Sequence, residues 1–273
     1  MLNIKDIFIE YKEGKIMELS SLIGLVSGLL AVGVGMALKG ADPHALINPA
    51  AFLIIIVGTA AALFNAFTLK DLKKFPTLLK IIFTGKKLIS KQEVIELFVS
   101  VAKSAKRDGI VAIEKRAAEV EDPFIRSSLT LVADGFNADF IAEVIEAEIK
   151  QMEERHRANA SIFSQGGMYA PTLGVLGAVI GLIAALGNLS DINMLGHSIA
   201  AAFVATLLGI FTGYVIWHPF ANKLKRISAN EVEIRKMVLE GALALQAGAS
   251  SMAMEAKLQA FIPASERKSL KEE

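Results

Sequence analysis

The sequence predicts an all-α, polytopic membrane protein with four transmembrane helices and a cytoplasmic helical domain. Four long stretches contain no Asp, Glu, Lys or Arg, and they are here called spans 1 to 4. These stretches are Leu19–Leu38, Leu46–Leu69, Ala158–Ser190 and Ile192–Asn222. Because about 20 apolar residues in a helix span the roughly 30 Å hydrocarbon core of a bilayer, each stretch is long enough to cross a membrane.

The distribution of basic residues sets the orientation of the spans. Of the 29 Lys and Arg, three precede span 1, sixteen lie between spans 2 and 3, and nine follow span 4. Only Lys39 lies between spans 1 and 2, and none lies between spans 3 and 4. The positive-inside rule then predicts that both termini and the long middle segment are cytoplasmic.

The composition excludes several classes of protein. The net charge of +1 gives no strongly basic surface for nucleic acid. The chain has no cysteine, which excludes disulfides, thiolate metal sites and a cysteine nucleophile. The sequence contains no phosphate-binding loop, metal-spaced histidine cluster or nucleophile–base set, so we expect no enzyme activity, no cofactor and no metal.

The spans divide the chain into five segments. Residues 1–18 form a cytoplasmic extension, which is either a short interfacial helix or a start-site extension ahead of Met17. The remaining segments are residues 19–69 with spans 1 and 2, residues 70–157 as the cytoplasmic helical domain, residues 158–222 with spans 3 and 4, and residues 223–273 as a cytoplasmic C-terminal helix and tail.

The cytoplasmic segment shows helical periodicity. Apolar residues recur at intervals of three and four over residues 94–105, which is typical of an amphipathic helix. We expect Gly109 to interrupt this helix and Gly135 to end a later one. Asn137 or Asp139 is expected to cap the next helix, which continues into span 3 as one long helix.

Small residues share one face in each of spans 3 and 4. They are Gly174, Gly177 and Gly181 in span 3, and Ala205, Gly209 and Gly213 in span 4. Small residues let helix backbones approach closely in lipid. Such a face can pack against a helix of the same chain, or it can form a smooth wall towards a moving partner helix. The spacing does not separate these two alternatives.

No span contains the carboxylate, lysine or arginine that usually marks an ion path. His44, His197 and His218 lie at span ends, where a hydrated imidazole costs little, and we do not assign them to proton transfer. A self-sufficient transporter would need internal repeats and a polar site at mid-membrane, and the sequence shows no convincing repeat. If an ion moves here, its carrier therefore belongs to another chain.

Three segments together resemble the motility protein A family, the flagellar stator A subunits of the MotA/TolQ/ExbB superfamily. They are "KGADPHALINPAAFLIIIVGTAAA", "APTLGVLGAVIGLIAALG" and "IAAAFVATLLGIFTGYVIWHPFANKL". The resemblance covers the chain from about Glu18 to Ile262. TolQ and ExbB have three spans, so four spans favour the stator. A TolQ- or ExbB-like energiser of an outer-membrane system is the alternative.

The resemblance implies a homopentameric ring in the bacterial cytoplasmic (inner) membrane. The ring would surround two helices of a B subunit, which supplies the ion-binding aspartate and the peptidoglycan anchor. Proton flow would turn the ring, and the cytoplasmic domain would push the rotor switch protein. The partners are then the B subunit, the rotor, other copies of this chain and membrane lipid, with no nucleic acid.

The resemblance also implies roles for residues in spans 3 and 4. Pro171 and Pro219 match the family's two prolines, which couple conformational change, and Thr206 matches the threonine near the partner's aspartate. The glycines of span 3 (Gly174, Gly177 and Gly181) would face the ion path and the partner, together with Pro171. Sodium-driven relatives have a threonine where this chain has Ala178, whose methyl group offers sodium no oxygen ligand. Ala178 therefore favours proton coupling, and a sodium-driven stator is the alternative.

The segment "KRDGIVAIE" departs from the family pattern at the rotor-contacting charges. The family has an arginine three residues before a glycine and a glutamate five residues after it. Glu114 stands at the glutamate position, whereas Lys106 stands at the arginine position with Arg107 beside it. Either Lys106 acts as a point charge or Arg107 takes the arginine's role, because lysine lacks the bidentate guanidinium.

Overall fold

A computed structural model describes residues 19–267, and these residues form helices and short connections without any strand. They divide into two compact units. The membrane unit contains residues 19–86 and 156–226, and the head unit contains residues 87–155 and 227–267. Four helical segments are long and apolar enough to cross a membrane, as the sequence predicts. The extension at residues 1–18, including Met17, lies outside the described residues.

The first helices belong to the membrane unit. Span 1 is the helix α1 (Leu19–Leu38). Span 2 is interrupted, and it consists of a 3-10 turn (Pro43–Leu46), α2 (Pro49–Phe52), a π-helical turn (Leu53–Val57) and α3 (Gly58–Ala66). Two short helices follow, α4 (Leu69–Leu72) and α5 (Phe75–Thr84).

The remaining helices build the head unit and spans 3 and 4. They are α6 (Lys91–Asp108), α7 (Ile110–Glu119), α8 (Pro123–Ala133), α9 (Ala138–Leu186), α10 (Ile192–Phe211), a π-helical turn (Thr212–Trp217), α11 (His218–Gln246), α12 (Ser251–Gln259) and a 3-10 turn (Ala264–Glu266). The 49-residue helix α9 confirms the prediction that one helix runs from the cytoplasmic segment into span 3.

The helix boundaries in the head follow the expected capping residues. Gly109 separates α6 from α7 with a φ of +71°, and Gly135 follows α8 with a φ of +76°. Both angles lie in the left-handed region that favours glycine. The side chain of Asn137 accepts a hydrogen bond of 2.8 Å from the amide of Phe140, so Asn137 rather than Asp139 caps α9.

The boundary expected at residue 70 differs in the structure, where the first 17 residues of the predicted cytoplasmic domain belong to the membrane unit. The amphipathic helix α5 buries Leu78 and Ile82 in a cluster with Phe163 of span 3 and Phe220 of α11. The ring of Phe75 stacks on Phe163 with centroids 5.1 Å apart. This apolar contact holds α5 at the spans, and the head therefore begins at residue 87.

The C-terminal segment completes the core of the head unit. Met237 of α11 and Met254 of α12 are fully buried in one cluster with Phe98 of α6. Gly241 lets the Phe98 ring approach, because a Cβ at this glycine would lie 2.7 Å from a ring carbon. The residues after 226 are therefore part of the folded head up to Ile262.

A partly buried ion pair joins α11 to the start of α8 in the head. Arg235 Nη1 lies 2.7 Å from Asp122 Oδ1, and the guanidinium lies 4.4 Å from the centroid of the Phe124 ring. Burial alone would raise the pKa of Asp122. The hydrogen bonds from Arg235 and from the amides of Ile125 and Phe124 outweigh burial, so the pKa of Asp122 is lower than its usual value.

Candidate functional site

Spans 3 and 4 pack together through their small residues. In order, the contacting pairs are Gly181 with Ala202, Gly177 with Ala205, Gly174 with Gly209, Pro171 with Gly213 and Gly167 with His218. Because residue numbers fall along span 3 as they rise along span 4, the two helices are antiparallel.

The separation between these helices is set by backbone contact. A Cβ added to Gly174 would lie 2.9 Å from the carbonyl oxygen of Ala205 and 2.9 Å from the Cα of Gly209. Gly174 and Gly177 are buried within the chain, and Gly181 is half-buried. Their glycine face is therefore occupied by span 4 of the same chain, which is the packing alternative for this motif and leaves other residues to face a partner.

Ala178 and Thr206 lie at the same level of the helix pair, next to the contact between Gly177 and Ala205. Both residues are half-buried. The Thr206 hydroxyl donates to the carbonyl of Ala202 over 3.4 Å, near the upper limit for a hydrogen bond. Thr212 in the same span bonds the carbonyl of Leu208 over 2.9 Å. The Thr206 hydroxyl is thus the more loosely held of the two.

Pro171 is accommodated inside α9 without ending the helix. Proline has no amide hydrogen, so the carbonyl of Gly167 receives no i+4 hydrogen bond. Gly213 packs on this position, because its added Cβ would lie 2.6 Å from the Pro171 ring and 3.0 Å from that carbonyl oxygen. Pro219, in contrast, is exposed in the first turn of α11.

Spans 2 and 4 each contain a π-helical turn, Leu53–Val57 and Thr212–Trp217, that the sequence does not predict. At the end of the second turn, the amide of His218 donates to the carbonyl of Gly213, five residues earlier. A π-helical turn accommodates one extra residue and is frequent at functional sites. Neither segment contains a proline that could have indicated it.

The head carries the three predicted rotor-contacting charges on its surface. Lys106 and Arg107 end α6, and Glu114 lies on α7 one turn beyond the Gly109 connection. All three are exposed. Between the charges, Ile110 and Val111 are 58% and 71% exposed. The surface therefore combines opposite charges with apolar side chains, and we call these five residues the charged–apolar surface.

Arg107 and Lys106 differ in whether they form an ion pair within the chain. The Arg107 guanidinium donates to both carboxylate oxygens of Asp108, with its Nη2 2.8 Å from Oδ2. This hydrogen bond lowers the pKa of Asp108 and raises that of Arg107. Neither Lys106 nor Glu114 forms an ion pair with any residue between 19 and 267. Lys106 is therefore the freer of the two cations.

Comparison with known proteins places these features in a family. Residues 116–237 match the model of the MotA/TolQ/ExbB proton channel family. The chain is 50% identical over 251 residues to motility protein A of Bacillus subtilis strain 168, covering 92% of this chain and 93% of that protein. The chain belongs to the motility protein A family. As a member with four apolar spans, it is a multi-pass membrane protein.

Solved structures of motility protein A complexes have the same fold. The flagellar MotAB stator complex from Bacillus subtilis matches with a TM-score of 0.85 and 50% identity, covering 90% of this chain and 96% of that chain. The MotAB complex of C. jejuni matches with a TM-score of 0.88 and 31% identity, covering 93% of this chain and 100% of that chain. In both of these relatives, motility protein A is present together with a B subunit.

Proposed function

We propose that this motility protein A is a stator subunit of the bacterial flagellar motor, which couples proton flow across the inner membrane to torque on the rotor. The observation that carries the proposal is the lack of any Asp, Glu, Lys or Arg in four spans of a chain that is 50% identical to a motility protein A. A membrane channel protein without its own carboxylate needs one from a partner, and we propose that a B subunit, as in the MotAB stator complex, supplies it.

The proposed assembly is a ring of five copies around two helices of the B subunit, which also anchors the complex to peptidoglycan. The exposed apolar side chains of spans 1 to 4 support this proposal, because they need lipid or other subunits to cover them. The charge distribution supports an orientation with both termini and the head unit on the cytoplasmic side, where the head can reach the rotor. This role is mechanical and conductive rather than enzymatic.

The proposed ion path runs along the level of Ala178 and Thr206, with Pro171 and Pro219 coupling ion passage to movement. Gly174, Gly177 and Gly181 set the distance between spans 3 and 4 behind this path. The Ala178 methyl group supports proton coupling, because sodium needs oxygen ligands to replace its hydration shell.

The coupling ion can be tested by swimming of cells that carry this chain and its B subunit as their sole stator. Swimming is expected to continue when sodium is removed and to stop when a proton ionophore is added. Arrest by sodium removal alone would show a sodium-driven stator. Flagellar rotation that continues without the B subunit would contradict the proposal that the B subunit supplies the ion-binding carboxylate.

The charged–apolar surface can be tested by charge reversal. Lys106→Glu and Glu114→Lys are each expected to weaken the rotor contact by about 1 kcal/mol, a factor of about five in affinity, because exposed ion pairs are individually weak. Torque at high load should fall while the amount of assembled complex in the membrane stays unchanged. Lys150→Glu, an exposed lysine of α9, is the matched control and should keep full torque. Loss of assembly in the Lys106 or Glu114 variant would instead indicate a structural role.

A further inference from the structure

We propose that His218 is the proton acceptor at the cytoplasmic end of the ion path, where it passes protons from the path to water. This inference rests on the proposed function, since it assumes that protons move along spans 3 and 4. It assigns a role to a residue that the sequence alone does not connect with proton transfer.

Side chains that can accept a proton are scarce in this region. The uncharged stretches of spans 3 and 4 contain two histidines, His197 and His218, and no cysteine. His197 lies near the start of α10, and His218 is the first residue of α11 at the opposite end of the span. In the proposed orientation, His197 is at the external end of span 4 and His218 at the cytoplasmic end.

The π-helical turn aligns His218 with Thr206. In a regular α-helix each residue turns by about 100°, so two residues 12 positions apart point about 120° away from each other. A π-helical turn absorbs one extra residue, and the same 12 positions then differ by only about 20°. Because the turn Thr212–Trp217 lies between them, Thr206 and His218 are on the same side of span 4.

A second pair of residues confirms this change of helical phase. Ala205 and Trp217 are also 12 positions apart, and both contact span 3. A Cβ added to Gly177 would lie 3.0 Å from the Ala205 Cβ, and one added to Gly166 would lie 2.5 Å from the Trp217 ring. In an α-helix without the π-helical turn, Trp217 would point about 120° away from Ala205.

The surroundings of His218 suit a group that receives a proton. Its imidazole packs against Gly167, where an added Cβ would lie 2.8 Å from Nδ1, and the carbonyl of Gly167 is the one deprived of its donor by Pro171. Tyr214, 64% exposed, lies one turn earlier with its ring centroid 5.3 Å from that of His218. Span 3 presents backbone rather than a charge to His218, and no ion pair of His218 occurs among residues 19–267.

The nearest cation on the same helix is held elsewhere. Lys223 Nζ lies 2.6 Å from the Ser21 hydroxyl oxygen and 3.1 Å from that of Ser20, at the start of span 1. Ser21 in turn donates to the carbonyl of Ile82. Lys223 thus ties α11 to α1 and α5, and its ammonium is directed at these groups.

The proposed step transfers one proton without any change of oxidation state. A proton that has left the carboxylate of the B subunit adds to the unprotonated ring nitrogen of His218 and forms the imidazolium. The imidazolium then releases one proton to cytoplasmic water and returns to the neutral ring. The Thr206 hydroxyl, Tyr214 and the Gly167 carbonyl lie along this route and can hold water by hydrogen bonds.

The test is proton flux through the complex of this chain with its B subunit in proteoliposomes, comparing wild type with His218→Gln. Glutamine keeps a polar side chain but does not titrate. The flux is expected to fall about a hundredfold, the lower end of the effect of losing one proton-transfer group. Millimolar imidazole on the cytoplasmic side should restore the flux, because a soluble buffer can replace the missing acceptor. His197→Gln, at the other end of the same span, is the matched control and should conduct like wild type.

The outcomes separate this inference from the proposed function. A wild-type complex that carries no proton current would contradict the proton-driven function. Normal wild-type flux with an unaffected His218→Gln variant would overturn only the role of His218. A slow variant that imidazole does not rescue, in an assembled complex, would show that His218 is structural and would also overturn the inference. Rescue specific to His218→Gln would support it.

Discussion

Gly209→Ala is expected to force spans 3 and 4 apart and to abolish motor function. The added Cβ would lie 2.7 Å from the Cα of Gly174 and 2.8 Å from the carbonyl oxygen of Ala170. Both neighbours are backbone atoms, so no side-chain rotation can relieve the contact. Overpacking of this kind costs about 1–3 kcal/mol, and in the proposed ring the cost recurs in every copy. We expect a lower melting temperature of the purified complex in detergent and loss of swimming.

Gly196→Ala is the matched control for this change. Gly196 lies in the same helix α10, and a Cβ added there would have no heavy atom within 4 Å. Alanine also favours a helix over glycine by about 1 kcal/mol, so this variant should be at least as stable as wild type. If the Gly209→Ala and Gly196→Ala variants had the same melting temperature and supported the same swimming, the close approach of the two spans would be dispensable.

Arg235→Met is expected to destabilise the head unit by about 1–3 kcal/mol, the cost of leaving a largely desolvated polar group without its partner. The change leaves the Asp122 and Glu231 carboxylates without this cation, and Glu231 is only 3% exposed. It also removes the stacking of the guanidinium on Phe124. Because a domain is stable by only about 5–15 kcal/mol, the head should become sensitive to proteolysis at lower temperature.

The effect of Arg235→Met should depend on pH. The folded pKa of Asp122 lies below its ordinary value of about 3.9, so its contribution to stability is fully present above that pH. The contribution is lost as the pH falls through the folded pKa. The difference in melting temperature between wild type and variant should therefore be constant near neutral pH and shrink below about pH 4.

Arg116→Met provides the comparison for an exposed pair. Arg116 Nη1 lies 3.1 Å from Glu119 Oε2, and both side chains are close to half exposed. An exposed pair contributes about 0.2–1 kcal/mol, so this variant should lose much less stability than Arg235→Met. Equal losses in the two variants would mean that burial of the Arg235 network is unimportant.

Local patterns predicted much of this fold. The uncharged stretches predicted the four membrane helices, and Gly109, Gly135 and Asn137 predicted the boundaries of head helices. Each of these signals depends on a few neighbouring residues: chain length against bilayer thickness, a left-handed backbone angle, or a side chain near a free amide.

Features that depend on long-range contacts could not be predicted in the same way. The apolar face of α5 has the same spacing whether it packs in a head domain or against Phe163 and Phe220 of the membrane unit. The glycines of span 3 have the same spacing whether they meet span 4 or a partner. The pair formed by Asp122 and Arg235 is separated by 113 residues, and no local pattern connects them.

The sequence predicts some features of the candidate site and not others. Exposure of Lys106 and Glu114 follows from their place on amphipathic helices, whereas the pairing of Arg107 with Asp108 decides which cation is free. The common level of Ala178 and Thr206 depends on the antiparallel register of two helices. The π-helical turn left no pattern in the sequence, so the alignment of Thr206 with His218 was visible only in three dimensions.

In a regular α-helix, the number of residues between two positions fixes the angle between their side chains. The π-helical turn in span 4 changes this relation, because it adds one residue without changing the direction of the side chains that follow. A homologue with one residue fewer at Thr212–Trp217 could form an uninterrupted α-helix and still present Trp217 and His218 to the same neighbours. A deletion anywhere else in the span would rotate everything that follows by about 100°. Over evolution, this turn is therefore the place where a one-residue deletion in span 4 can be tolerated, and alignments of the family should allow a gap there.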